Sequence, residues 1–126
     1  ANDTQMPYWS GESTGSDYAF DAVGVYILLI KDRMFEDAEK VISKSFPEQS
    51  IIASLNCLRL LGVPHRKNLL VHFSKRDFAR AKAKFYEWHA TVQQELPRQY
   101  HDDIVAAAER EFSLWVDQVW SQIESP

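Results

Sequence analysis

Cysteine occurs once in the chain, at Cys57. A single thiol excludes an internal disulfide and any cysteine-based metal cluster. Glycine occurs 4 times and proline 5 times in 126 residues, too few to punctuate many short strands, so the deficit points to a few long helices. Long hydrophobic runs are missing too. The longest, from Ala22 to Ile30, falls far short of the about 20 apolar residues that a membrane-spanning helix needs, and no membrane partner is expected. Metal-ligand spacing is absent: Glu109 and Glu111 have no His at the three-residue offset of helical carboxylate sites. His101, Asp102 and Asp103 are sequence neighbours and diverge around a helix, as do Glu87 and His89. No metal and no cofactor is expected.

What is there suits one globular domain with a real core: hydrophobic residues make up 45%, charged residues 25% and aromatic residues 13%, with 4 Trp. The net charge of -4 is unevenly spread. Residues 1–64 carry -4, residues 65–84 carry +6 and residues 85–126 carry -6, so an acidic chain has a basic belt in its middle. The first residue is Ala1, which suits export after removal of a signal peptide but suits a trimmed start equally.

The pattern along the chain predicts an all-α fold, a single compact bundle or short helical-hairpin stack of about six helices. Residues 1–15 read as an irregular arm, pinned to the body by Tyr8 and Trp9, and residues 16–126 as one helical domain. A helix from Ser16 or Asp17 to Asp32 has only Asp17, Asp21, Gly24 and Lys31 on its polar stripe, which implies a central position. A strand at Val25–Ile30 competes with it, because β-branched and aromatic residues cluster there. A short helix at 34–44 follows, with Met34, Ala38, Val41 and Ile42 inward. Ser45-Phe46-Pro47-Glu48 forms a capping box that opens a helix ended by Gly62. A helical piece at 66–73 leads to a second box, Ser74-Lys75-Arg76-Asp77. The helix after it buries Phe78, Ala81, Phe85, Trp88 and Val92 and stops at Leu96-Pro97. The last helix starts at His101-Asp102-Asp103 and buries Ile104, Ala108, Phe112, Trp115, Val119 and Ile123.

The stretch SKSFPEQSIIASLNCLRLLGV, residues 43–63, runs from a proline-containing loop into a helix of small residues and Leu that ends in Leu-Gly. With the helix at 34–44 as its partner, it resembles a HEAT-type helical hairpin. That resemblance implies a protein-binding surface and no catalysis. The repeat's usual loop Asp and Arg are missing, and no second copy occurs at a period of roughly 40.

Gly11-Glu12-Ser13-Thr14-Gly15 matches the G-x-S-x-G pattern of a serine-hydrolase nucleophile elbow. A working elbow needs a strand feeding the Ser inside a parallel sheet, and a His and an acid from downstream. Only twelve residues precede Ser13 and no strand–helix alternation follows, so this reads as a loop leading to a helix cap. A small serine hydrolase using Ser13 stands as the enzyme alternative.

The belt HRKNLLVHFSKRDFARAKAK, residues 65–84, interleaves basic and aromatic residues as nucleic-acid binders do. Its aromatics fall on the core side, and its flanks are acidic. Three readings follow: a solvated or internally paired face, a binding site for an acidic protein, or a nucleic-acid site. Ala79, Ala83 and Ala90 share a side between the charges and would let a partner or a second copy approach. Cys57 reads as a half-buried small hydrophobe, and His65 and His72 as surface residues. The chain is therefore read as a non-enzymatic protein-binding module. In size and style it is similar to the immunity proteins with which bacteria block secreted toxins. The candidate contact residues are Arg66, Lys67, Lys75, Arg76, Arg80 and Lys84 in the belt, Glu109, Glu111 and Asp117 in the acidic last helix, and the aromatic anchors Trp9, Tyr86 and Trp120.

Overall fold

A computed structural model describes residues 17–39, 47–92, 94 and 97–124. The chain is all-α, with no strand among the described residues. Helix α1 spans Asp17–Glu39, α2 Pro47–Gly62, α3 Arg66–His72, α4 Lys75–Val92 and α5 Arg98–Trp115. A π-helical turn, Val116–Trp120, and a last α-turn, Ser121–Glu124, prolong α5. The expected arm at 1–15, the Ser16 cap, Val41, Ile42 and the Ser45 half of the first capping box lie outside the described residues.

Two expected helices, 17–32 and 34–44, are one rod as far as residue 39. Nothing between Asp32 and Met34 breaks a helix, and the Arg33 guanidinium holds the Asp37 carboxylate one turn on at 3.0 Å. Met34, Phe35 and Ala38 simply continue the buried stripe of Val23 and Ile27. The competing strand at Val25–Ile30 is helix throughout. Pro47 opens α2, where its missing N–H leaves no bond unmade. At α4 the box closes as read: Asp77 N–H donates to Ser74 Oγ at 3.1 Å, and Ser74 N–H donates to Asp77 Oδ2 at 2.9 Å. Helix α5 begins at Arg98 and not at His101, because Pro97, with φ -57° and ψ 142°, is extended and the chain turns helical directly after it.

Helix α1 packs on α2 and α3, and α2 packs in turn on α4 and α5. Ile27, Met34, Ile51, Leu55, Leu58, Leu69, Phe73, Phe85 and Trp115 are wholly buried. Each such aliphatic side chain contributes roughly 1.5–3 kcal/mol relative to exposure. Trp115 ties the core together, 5.1 Å from the Phe73 ring and 5.4 Å from Phe78, with its indole N–H donating to Leu55 O at 3.1 Å. Gly62 is the last helical residue of α2 and does not act as a left-handed cap. A Cβ there would lie 2.9 Å from Leu69 Cδ1 and closer still to Cδ2, so glycine is what lets α3 settle on the end of α2.

Candidate interaction surface

Much of the basic belt is engaged with the protein itself. Arg80 lies over the Phe35 ring at 4.1 Å and donates to Glu39 Oε1 at 3.2 Å, and Lys84 Nζ reaches the same oxygen at 3.3 Å. Hydrogen bonds from Lys84 and then Arg80 hold the Glu39 carboxyl below its ordinary value. Lys82 lies 5.3 Å from the centre of the Phe112 ring. Arg66 donates to Gln118 O at 2.9 Å, which ties the start of α3 to the π-turn. Lys67, Lys75 and Arg76 are exposed. The belt thus joins α4 to α1 and α3 to the end of α5, and only part of it is presented outward.

The acidic and aromatic candidates separate in the same way. Glu111 is not a surface acid. It is 5% exposed, and Arg59 grips it with Nε to Oε2 at 2.6 Å and Nη2 to Oε1 at 3.1 Å, while Asn56 Nδ2 donates to Oε1 at 3.1 Å. The Glu111 carboxylate in turn raises the Arg59 guanidinium above its ordinary pKa. Trp120 is not a half-exposed anchor either: it too is 5% exposed, with its ring 5.6 Å from Trp115. In an α-helix residues five apart diverge, but in a π-turn they stack, and the turn at Val116–Trp120 swings Trp120 onto the Trp115 side. Tyr86, Glu109 and Asp117 are exposed, and Tyr86 donates to Glu109 Oε2 at 3.3 Å. Burial and then the Glu109 charge raise the Tyr86 hydroxyl above its ordinary pKa. Trp9 and Ser13 lie outside the described residues.

The largest departure from the sequence reading is α1. Its composition implies a central helix, yet Phe20, Val25, Tyr26, Leu28 and Leu29 are all exposed, Tyr26 and Leu29 at 58% each. Only the Val23, Ile27, Met34 face is buried, because the described helices that pack on α1 cover one side of the rod. Leu60 on α2 and Val71 on α3 are also exposed, at 61% and 72%. Grooves flank the ridge. One, of about 330 Å³, lies between Leu29, Ile30 and Arg33 of α1 and Ala53, Ser54 and Cys57 of α2. The other, of about 260 Å³, lies between Phe20, Gly24, Val25 and Leu28 of α1 and Asn68 and His72 of α3. A third groove, of about 450 Å³, runs on the far side of α2 between Ile52, Ala53, Asn56 and Asp103, Ile104, Ala107. Small residues at Ala53, Ser54 and Cys57 leave the α1–α2 groove open. Cys57 is exposed, not half-buried. His65 and His72 are half-buried, His65 in the α2–α3 turn and His72 beside Gly24 of α1.

One juxtaposition has no local sequence signal. His89 at the end of α4 and His101 in α5 meet with Nε2 and Nδ1 3.2 Å apart, and the His89 ring stacks on Phe85. Burial, and then the neighbouring His101, depress the His89 pKa below its ordinary value. Twelve residues and a helix turn-around separate the pair, so only the tertiary fold brings them together. Among the described residues no three His, Cys, Asp or Glu side chains converge as metal ligands, and no helix is long and apolar enough to cross a membrane. No protein-family model matches this chain, and comparison with curated proteins and with solved structures finds no match.

Proposed function

We propose that this protein is a non-enzymatic binding module, of the inhibitor or immunity kind, that acts by occupying a partner protein's surface. The observation that carries the reading is the exposed apolar ridge of α1, with Tyr26 and Leu29 more than half in solvent and a groove beside them against α2. A contiguous apolar surface rimmed by polar groups is characteristic of an interaction site. Asp21 and Asp32 are exposed on the same helix and fall at helical spacing from Val25. The partner that fits is an apolar helix or ridge, its side chains seated between Leu29 and Ala53 beside the exposed Arg33 guanidinium. The belt is a weaker candidate, because Arg80 and Lys84 are already paired with Glu39.

The test compares capture by the wild-type chain, by Tyr26→Asp/Leu29→Asp and by Lys67→Glu/Arg76→Glu, from lysate of the source organism at low and high salt. A stoichiometric protein kept by the belt variant and lost by the α1 variant supports the reading. A partner lost only by the belt variant transfers the site to α3 and α4. Nucleic acid recovered only at low salt replaces the reading with phosphate binding.

A further inference from the structure

The groove between α2 and α5 is the largest of the three, at about 450 Å³. That lies within the roughly 300–1,000 Å³ of sites that take one small organic molecule. Its walls follow from helical spacing. Asp103, Ala107 and Glu111 recur at four-residue steps and share one face of α5, with Ile104 beside them. Ile52, Ala53 and Asn56 share a face of α2 in the same way. Ala53 and Ala107 offer one methyl group each, so space remains between the helices. Eight residue steps set Asp103 about 12 Å along α5 from Glu111. The polar groups have acceptors to spare and few donors. Glu111 is already matched, with Arg59 on both oxygens and Asn56 Nδ2 on Oε1. That bond fixes the Asn56 amide, since a flipped amide would set Oδ1 against the carboxylate. Asn56 Oδ1 has no donor among the described residues. Asp103 is exposed and has no ion-pair partner among them. No Lys, Arg or His lines the groove. A ligand that complements this set is apolar along its body and carries a cationic N–H donor.

We infer that the α2–α5 groove binds a small organic ammonium ion, a protonated primary amine on an aliphatic or aromatic body. The body lies against Ile52, Ala53, Ile104 and Ala107, and the ammonium donates its N–H groups to the Asp103 carboxylate. Burial of the body supplies most of the affinity. Asp103 selects the charge and contributes modestly, because an ion pair in contact with solvent is weak. An anion of the same shape is disfavoured, since Asp103 repels it and no cation lines the groove to pair with it. This groove lies on the α5 side of α2, and the partner surface proposed above lies on its α1 side. Ala53 lines both grooves, so the test leaves Ala53 untouched, and either reading stands when the other fails.

The experiment is a methyl NMR titration of the full chain with phenylpropylamine, phenylpropanol and phenylpropionate, which share one apolar body and differ in the head group. The amine should give saturable shifts at the Ile52 and Ile104 methyls, with a dissociation constant on the order of a millimolar. The alcohol should bind about threefold to fivefold more weakly, and the carboxylate more weakly still. Asp103→Asn, at an exposed position, should bring the amine down to the level of the alcohol. Ala107→Leu extends a groove-lining side chain and keeps a good helix former. It should abolish the shifts while the circular dichroism spectrum stays unchanged; if it unfolds the chain, Asp103→Asn decides alone. No saturable shift with the amine overturns the inference, as does equal affinity for amine and carboxylate, or an amine affinity unchanged by Asp103→Asn. Shifts that survive in a folded Ala107→Leu variant also overturn it, because they place the probe outside the groove.

Discussion

Arg59 and Glu111 are two charges in the interior, and what each contributes depends on the other. Their bidentate contact, with Asn56 and Gln118 completing the donors and acceptors, offsets a desolvation cost of several kcal/mol per ion. Glu111→Ala leaves Arg59 buried and unpaired, and should destabilise the fold by about 3–5 kcal/mol in urea titration. Arg59→Met/Glu111→Leu should recover most of that loss; a double variant no more stable than the single would mean that the pair itself drives folding. The pair was not legible in the sequence, because 52 residues separate its members and Glu111 looks like any acid on a helix face. His89 is a second case. Its folded-state pKa lies below the ordinary 6.5 because burial and His101 disfavour the cation. The unfolded chain therefore binds the proton more readily, so this contribution to stability is full above about pH 6.5 and is lost as pH falls through the lowered value. The Tm should drop between pH 7.5 and pH 5, and His89→Gln should shrink that drop. An unchanged drop would assign the acid sensitivity to other groups. Asp77 and Glu39, whose pKa values lie below the ordinary carboxyl range, titrate at lower pH and stay clear of this window. At Asp77 burial pulls upward, but the Ser74 N–H and Lys31 outweigh it.

At the scale of the helix, the readable features were the ones set by near neighbours. The Ser74–Asp77 box is complete within four residues, and its sequence signature and its geometry agree. Ser74→Ala removes both bonds of the hydroxyl, from Asp77 N–H and to Asp77 Oδ2, and should cost about 1 kcal/mol of stability by thermal or urea denaturation. Ser74→Asn should cost far less, because a neutral side-chain oxygen can still accept from Asp77 N–H without setting a second carboxylate beside Asp77 Oδ2. The unreadable features were set by distant packing. Helix α1 continues past Asp32 because Met34, Phe35 and Ala38 carry its buried stripe on. The π-turn in α5 exists where Trp115 and Trp120 stack beside Phe78, and no rule of local spacing announces a five-residue step. The Gly62 position was found, but for the wrong reason: its role is close approach to Leu69 and not a backbone turn.

For the molecule as a whole, the all-α class and most of the core positions followed from helical spacing, while the side of α1 that faces solvent did not. Spacing tells which residues share a face; it does not tell how many faces the neighbouring helices cover. Nine of ten residues from Phe20 to Leu29 are apolar or glycine, and that composition suits a rod surrounded on all sides. The described helices lie on one side of it only, which leaves an apolar face whose exposure folding does not require. The stability contrast is direct. If α1 were central, Leu29→Asp would bury an unpaired carboxylate and unfold the chain. With Leu29 58% exposed, Leu29→Asp should shift stability by no more than about 0.5 kcal/mol. Ile27→Asp, two residues away and wholly buried, should abolish the cooperative transition seen by circular dichroism, since a buried carboxylate costs far more than a domain of this size can lose. Equal and severe losses in both variants would mean that α1 is enclosed in solution by something that covers its outer face, such as a second copy, and size-exclusion chromatography of the wild type would then show a dimer. Retention of the Leu29→Asp fold would leave that surface without a structural reason for its composition, which is the condition under which recruitment of a partner accounts for it.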